Sequence, residues 1–148
     1  MDTAVKQKVL DSFDRQKVMD TIGASIRRLE PGRMEIQMPF NEAFTQQHGF
    51  LHAGIVTTVV DSACGYAALS TMPLDAGVLS IEFKVNLLAP AKGKRFIAVG
   101  TVLKAGRNIT VTQGELLAWQ SAAETSPKRV ATMTATMMSV YDRDDITS

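Results

Sequence analysis

The segment from Ala53 to Thr71, AGIVTTVVDSACGYAALST, constrains the fold more than any other part of the chain. Its 19 residues are too many for an ordinary β-strand, and the absence of proline together with the alanine content favours an α-helix. A helix that is apolar nearly all round has to be buried. The rest of the chain is therefore predicted to supply an apolar surface on which this helix lies.

The other segments are predicted to supply that surface mainly as a β-sheet. Residues 4–22 place apolar side chains at helical spacing among charged ones, which predicts an amphipathic helix that ends at Gly23. Alternation between turn sequences predicts strands over Ala24–Leu29, Arg33–Met38, Val78–Leu88, Arg95–Leu103, Ile109–Trp119 and Arg129–Tyr141. The predicted fold class is α+β: one domain over residues 1–148, with an antiparallel sheet wrapped around one long buried helix and an N-terminal amphipathic helix.

The strand that begins at Val78 shows the clearest alternation of polar and apolar residues. Because successive side chains of a strand point to opposite faces, the pattern predicts two distinct faces. The apolar face is expected to hold Ile81, Phe83, Val85 and Leu87, and the polar face Ser80, Glu82, Lys84 and Asn86.

Charge and cysteine content narrow the classes of partner. The 16 basic and 15 acidic residues nearly cancel, so the overall field gives no reason to expect binding to nucleic acid or to a membrane surface. The apolar segment contains Asp61 and many small or hydroxylated residues, which argues against a membrane span. The single cysteine, Cys64, fits a reducing compartment, and the N-terminus lacks the apolar run of a signal peptide. We therefore expect a cytoplasmic protein with a small-molecule partner.

Asp61 is the only charged residue of the predicted buried helix, and it is the first candidate for chemistry. An ionised carboxylate in an apolar setting destabilises the fold unless it is paired with a charge or solvated by water. Such a group therefore seldom lacks a partner or a role. Burial raises the pKa of a carboxyl, which makes it a better base or nucleophile near neutral pH. The alternative is structural: Asp61 could bond a backbone amide or an arginine of a partner subunit.

The start of the same helix offers donors for an anion. The backbone N–H groups of His52, Ala53 and Gly54 are among the first four, which lack partners inside the helix, and they coincide with the positive end of the helix dipole. Such donors suit an oxyanion. His52 could equally cap the helix or brace the loop. His48 and His52 are four residues apart, but with Gly49 between them and no third clustered ligand no metal site is predicted.

The run Gln46-Gln47-His48-Gly49-Phe50-Leu51-His52-Ala53-Gly54, followed by the helix with Asp61, resembles the signature of hotdog-fold acyl-CoA thioesterases. The resemblance is closest to the group that contains the phenylacetate-pathway and 4-hydroxybenzoyl-CoA thioesterases, and it spans nearly the whole chain. It implies a hotdog fold and hydrolysis of acyl-CoA thioesters to free acid and CoA. Coenzyme A is then part of the substrate, and no cofactor is expected.

The resemblance also implies roles for individual residues. Asp61 would be the nucleophile or the general base that activates water, and the Ala53 amide would polarise the thioester oxygen. Gln46 would orient substrate or water, His52 would brace the loop, and Ser80 would position water. In the family these groups come from two subunits, so the resemblance implies an obligate homodimer, which could assemble further into a tetramer as a dimer of dimers.

The substrate-binding residues are expected at the loop, the helix and the turns. Many relatives have two glycines where this chain has Ala53-Gly54, and some have Ser or Thr where Gly65 leaves space one turn after Asp61. Lys84, Lys104 and Arg107 are candidates for the CoA phosphates, although scattered charges on hairpins are often only solvated. Six large side chains are expected either to line the acyl pocket or to fill the core: Met19, Met34, Met38, Phe40, Phe44 and Tyr66.

Two other functions use the same features. A non-catalytic acyl-CoA or fatty-acyl binding protein would use the same tunnel, and Ala53 in place of glycine is its main support. An enoyl-CoA hydratase or dehydratase would need a histidine and a carboxylate across the tunnel, roles open to His52 and Asp61. The loop lacks the His-Phe-Pro run of dehydratases, so this function ranks last.

Overall fold

A computed structural model describes residues 1–147 and shows one antiparallel sheet packed on a central helix. The elements are α1 (Thr3–Arg15), α2 (Lys17–Thr21), β1 (Ser25–Glu30), β2 (Arg33–Pro39), a short 3₁₀ turn (Glu42–Phe44), α3 (Ala53–Leu69), β3 (Gly77–Leu87), β4 (Arg95–Ala105), β5 (Ile109–Trp119) and β6 (Lys128–Val140). The strand order is β1-β2-β4-β5-β6-β3, with every neighbouring pair antiparallel. The predicted architecture is therefore confirmed, with strand ends within two residues of those expected.

The helix α3 lies directly on the middle of the sheet because two strand glycines leave room for it. A Cβ atom on Gly114 of β5 would lie 2.6 Å from Val60 Cγ1 and 2.7 Å from Cys64 Sγ, and one on Gly100 of β4 would collide with the backbone of Ala63. Since α3 packs against β2, β3, β4, β5 and β6, we call the side of the sheet that faces it the inner face. Within residues 1–147, no helix is both long and apolar enough to span a membrane.

The N-terminal helix predicted over residues 4–22 is wrong in one respect: it is two helices. Gln16 adopts an extended conformation between α1 and α2, with φ −80° and ψ 92°, and Ser62 Oγ of α3 donates a hydrogen bond of 3.0 Å to its side-chain oxygen. This break lets Phe13 and Met19, one on each side of it, both reach the core. The predicted end at Gly23 is confirmed, since Gly23 has a φ of +69°, a conformation that suits a glycine after a helix.

The predicted faces of β3 are confirmed from Glu82 to Leu87 but wrong at Ser80 and Ile81, because the strand contains a bulge there. The register with β6 shifts between Ser80 and Glu82, which leaves Ile81 as an extra residue. Ser80 pairs with Met137 and Phe83 with Ala135, and both partners are buried on the inner face. Ser80 therefore shares the inner face with Phe83 instead of lying opposite to it.

Strand β3 forms an edge of the sheet and exposes apolar side chains. Within the described chain it is hydrogen-bonded to β6 alone, and it is 11 residues long. Between 39% and 55% of Leu79, Ile81, Phe83 and Leu87 is exposed. A long edge strand with exposed apolar side chains is a ready site for pairing with another strand.

Candidate active site

Asp61 lies on the side of α3 that faces β3, at the wall of a small cavity. Ser80 Oγ donates a hydrogen bond of 2.8 Å to Asp61 Oδ1, which is possible because the bulge turns Ser80 toward the helix. Burial raises the pKa of Asp61, and the Ser80 hydrogen bond offsets part of that rise. The pKa of the carboxyl is thus above its ordinary value, which suits a proton acceptor or nucleophile.

The cavity next to Asp61, which we call the Asp61 cavity, has a volume of about 160 Å³. Its lining consists of Ser12, Gln16, Asp61, Ser62, Gly65, Tyr66, Val78, Ser80, Ile146 and Thr147. Most of these side chains are polar, so the cavity differs from an aliphatic tunnel. A Cβ atom on Gly65 would meet nothing within 4 Å, which confirms that this glycine leaves space beside Asp61.

A second and larger cavity, which we call the loop cavity, lies at the start of α3 and has a volume of about 590 Å³. It brings together three of the predicted site residues, Gln46, His52 and Ala53. The full lining is Gln46, Gln47, Phe50, Leu51, His52, Ala53, Val56, Leu87, Leu88, Ala89, Pro90, Ala91 and Val130. Gly54 follows directly but does not line either cavity.

The hydrogen bonds at the start of α3 leave one backbone donor for a ligand. His52 Nδ1 caps the helix by accepting a bond of 2.8 Å from Gly54 N–H, and His52 N–H donates to Phe44 O. A Cβ atom on Gly54 would lie 3.0 Å from the His52 ring, so the cap favours a glycine there. Within residues 1–147, Ala53 N–H makes no hydrogen bond. Of the amides considered for an oxyanion, the one of Ala53 is therefore available.

The two cavities lie at separate points along α3 within one chain. Ala53 and Asp61 are eight residues apart on the same helix, which corresponds to about 12 Å along its axis. A reacting carbon has to lie about 3 Å from the attacking group, and its oxygen about 3 Å from the oxyanion donor. For direct attack that requirement limits the donor and the carboxylate to roughly 7 Å, and for attack through one bridging water to roughly 10 Å. The separation of the two residues along the helix axis exceeds both, so we treat the two cavities as two half-sites.

None of the basic residues predicted to hold CoA phosphates lines either cavity. Lys84 pairs with Thr134 and points to the outer face of the sheet. Lys104 and Arg107 lie near the tip of the β4–β5 hairpin. This tip is at the same end of the sheet as the Asp61 cavity, since Ser139, which pairs with the cavity residue Val78, donates its N–H to Asn108 O.

The side chains expected in the acyl pocket or the core occupy different places in the structure. Met19, Met34 and Met38 are fully buried in the core, whereas Tyr66 lines the Asp61 cavity. Neither Phe40 nor Phe44 lines a cavity described above. Gln16 and Ile146 were missed, since their contacts with α3 and β3 arise only when the two ends of the chain meet at the cavity.

Solved structures share this arrangement of sheet and helix. A thioesterase family protein from Silicibacter pomeroyi is 54% identical, with a TM-score of 0.89, and the match covers 93% of this chain and 99% of that one. The Escherichia coli PaaI protein from the phenylacetic acid degradation operon has a TM-score of 0.82 at 17% identity, with 93% and 94% covered. The fold is therefore the hotdog fold, as the sequence predicted.

Sequence comparison defines the family. Residues 48–121, which include the end of the loop, α3 and the strands β3, β4 and β5, match the model of the Thioesterase superfamily. Human acyl-coenzyme A thioesterase 13 is 32% identical over 87 residues, which cover 58% of this chain and 61% of that protein. The chain belongs to the thioesterase superfamily and is a thioester hydrolase.

Proposed function

We propose that the protein hydrolyses acyl-CoA thioesters to a free acid and CoA, with Asp61 as nucleophile or general base and the Ala53 amide as the oxyanion donor. The observation that carries the proposal is the pair of half-sites: a carboxylate with a raised pKa in one, an unused helix N-terminal amide in the other. The name of the related human protein, an acyl-coenzyme A thioesterase, supports CoA as the thiol.

The chemistry at Asp61 can follow two routes. As a nucleophile, the carboxylate attacks the thioester carbon, the C–S bond breaks, and water hydrolyses the resulting anhydride. As a general base, Asp61 takes a proton from water, which attacks the same carbon, and the CoA sulfur leaves and becomes protonated. In both routes negative charge develops on the thioester oxygen, which the Ala53 N–H and the helix dipole stabilise. Ser80 holds the carboxylate in place, and neither route uses a cofactor.

The site is proposed to form between two subunits of an obligate homodimer. If two β3 strands pair antiparallel around a two-fold axis at Glu82, Leu87 of one chain lies opposite Gly77 of the other. The loop cavity, which Leu87 and Leu88 line, then adjoins the partner's Asp61 cavity, which Val78 and Ser80 line. The same pairing covers the exposed apolar side chains of β3. A tetramer, built as a dimer of such dimers, stays a prediction.

The hydratase function receives less support from the geometry. It would require His52 to act as an acid or base beside a carboxylate. His52 Nδ1 instead accepts the hydrogen bond that caps α3, so one ring nitrogen is committed to holding the loop. Hydration of crotonyl-CoA at a rate above that of thioester hydrolysis would reverse this order.

Release of free CoA from a panel of acyl-CoA thioesters tests the proposal directly. Asp61→Asn keeps the size of the side chain and its bond to Ser80 but removes the base, and we expect a loss in kcat of at least about 100-fold. Asp20→Asn, at an exposed position of α2, is the matched control and should retain activity. Full activity of Asp61→Asn would refute the assignment, and tight acyl-CoA binding without turnover by the wild type would favour a binding protein.

A further inference from the structure

The wall of the Asp61 cavity opposite the helix comes from both ends of the chain. Ser12 and Gln16 belong to the N-terminal helices, and Ile146 and Thr147 to the segment after β6. All four lie outside residues 48–121, the part that matches the family. The carboxylate therefore lies within the part that matches the family model, whereas the wall that faces it comes from the two terminal segments.

The hydrogen bonds of this wall leave one donor unused. Tyr66 Oη donates to Ser12 O at 3.2 Å, and Ser62 Oγ donates to Gln16 Oε1 at 3.0 Å. Ser80 Oγ is bonded to Asp61. Within residues 1–147 the Gln16 side chain makes only the bond through its oxygen, so its NH₂ group has donors free beside the cavity. This NH₂ group is not shut off from solvent and lies next to the cavity, so a ligand in the cavity can reach it.

The position of this amide is fixed by the backbone on both sides. Gln16 is the extended residue between α1 and α2, and its partner Ser62 directly follows Asp61 in α3. The cavity, of about 160 Å³, is comparable with one that holds a single benzene ring. Ile146 helps to close it, since a Cβ atom on Gly77 would lie only 2.8 Å from Ile146 Cγ2. A group bound here would be compact and within reach of the Gln16 amide.

From these contacts we propose that Gln16 is a specificity-determining residue, whose amide donates a hydrogen bond to a hydroxyl or oxo oxygen at the end of a compact acyl group remote from the thioester carbon. This inference rests on the proposed function, because it places the acyl group in the Asp61 cavity. A site that bonds a substrate oxygen discriminates against the analogue that lacks it, since its own polar group is then left without a partner.

The test compares matched acyl-CoA probes with and without a hydroxyl: 3-hydroxybutyryl-CoA with butyryl-CoA, and 4-hydroxybenzoyl-CoA with benzoyl-CoA. For at least one pair, the wild type should favour the hydroxylated probe in kcat/KM by about tenfold, the size expected of one hydrogen bond. Gln16→Met, which has a similar length but no donor, should bring that ratio close to one. The pair that responds distinguishes an aliphatic from an aromatic acyl group.

Two further variants separate recognition from folding. Gln16→Glu can still accept the bond from Ser62 but cannot donate, so it should lose the preference as Gln16→Met does. Gln37→Met is the matched control, because Gln37 Nε2 also bonds a serine, Ser25 Oγ at 3.2 Å, but on the surface away from the Asp61 cavity. It should keep the wild-type ratio. An unchanged ratio in both Gln16 variants, or an equal fall for both probes of each pair, would overturn the proposal.

Failure of this inference is distinguishable from failure of the proposed function. If Gln16 has no such role, CoA is still released but the ratios do not change between variants. If no probe is hydrolysed, the proposed function fails, and the ratio of dissociation constants within each pair, measured by calorimetry on the wild type and Gln16→Met, decides the role of Gln16 by itself. Equal ratios in the two proteins would then refute it.

Discussion

Two inactive variants should restore activity when they meet in one dimer. Ala53→Pro removes the N–H proposed for the oxyanion while keeping the fold, because proline is favoured at the first residue of a helix. His52, the residue before it, already has φ −59° and ψ 139°, the region that a following proline requires. Loss of one oxyanion donor should lower kcat by about 100-fold to 1,000-fold, and Asp61→Asn should lower it at least as far.

The expected recovery follows from the arrangement of the half-sites. In a heterodimer of the two variants, one composite site contains both substitutions and the other contains neither. Each purified heterodimer should therefore have about half of the wild-type activity per dimer, whereas each parent homodimer has almost none. The heterodimer can be isolated by co-expression with two different affinity tags, and its activity measured as CoA release.

The reciprocal heterodimer supplies the control. A chain with both substitutions, combined with a wild-type chain, places one substitution in each composite site and should be nearly inactive. If instead each site lay within one chain, this second heterodimer would keep half of the activity and the first would have almost none. That result would refute the split site and, with it, the pairing proposed for β3.

Four more predictions concern titration, stability, space and assembly. Because the Ser80 hydrogen bond lowers the pKa of Asp61, Ser80→Ala should raise that pKa further and move the acidic limb of the pH–kcat/KM profile to higher pH. A carboxyl whose pKa is raised by folding stabilises the protein at low pH, and this stabilisation is lost as the pH rises through the folded-state pKa. At neutral pH, Asp61→Asn should therefore melt at a higher temperature than the wild type. The difference in melting temperature should disappear in acid. Gly65→Ala should fold normally, since its Cβ meets nothing within 4 Å, and should raise KM for ring-sized acyl groups by narrowing the cavity; an unchanged KM would place those groups elsewhere. Phe83→Asp, at the exposed edge of β3, should yield monomers in analytical ultracentrifugation and abolish CoA release, and an active monomer would contradict the obligate dimer.

The elements of the fold could be predicted from the sequence, but two local departures could not. Hydrophobic alternation located all six strands, and the length and composition of the segment from Ala53 located α3. The break at Gln16 depends on a hydrogen bond to Ser62, a residue 46 positions away, which leaves no local signal. The bulge at Ile81 also leaves no signal in the sequence. Apolar residues continue at every second position through Leu79, Ile81 and Phe83, although the bulge places Leu79 and Phe83 on opposite faces of the sheet.

The candidate site was predictable where its members are close in sequence. Gln46, His52 and Ala53 belong to one loop and do meet at one cavity, and the exceptional charge of Asp61 was visible against its apolar neighbours. Ser80 was found through resemblance, although the alternation of β3 placed it on the wrong face. The cytoplasmic location inferred from the single cysteine stays a prediction.

The glycines that seat α3 on the sheet have a consequence for how the substrate range can change. Because Gly100 and Gly114 leave room for α3 directly on the central strands, a larger residue at either position would displace the helix segment that carries Asp61. The wall opposite the carboxylate comes from the two terminal segments and is joined to the same helix by the hydrogen bonds of Ser62 to Gln16 and of Tyr66 to Ser12. A change at a wall residue without such a bond, such as Ile146, can therefore alter which acyl group fits while the glycine contacts still hold the carboxylate in place.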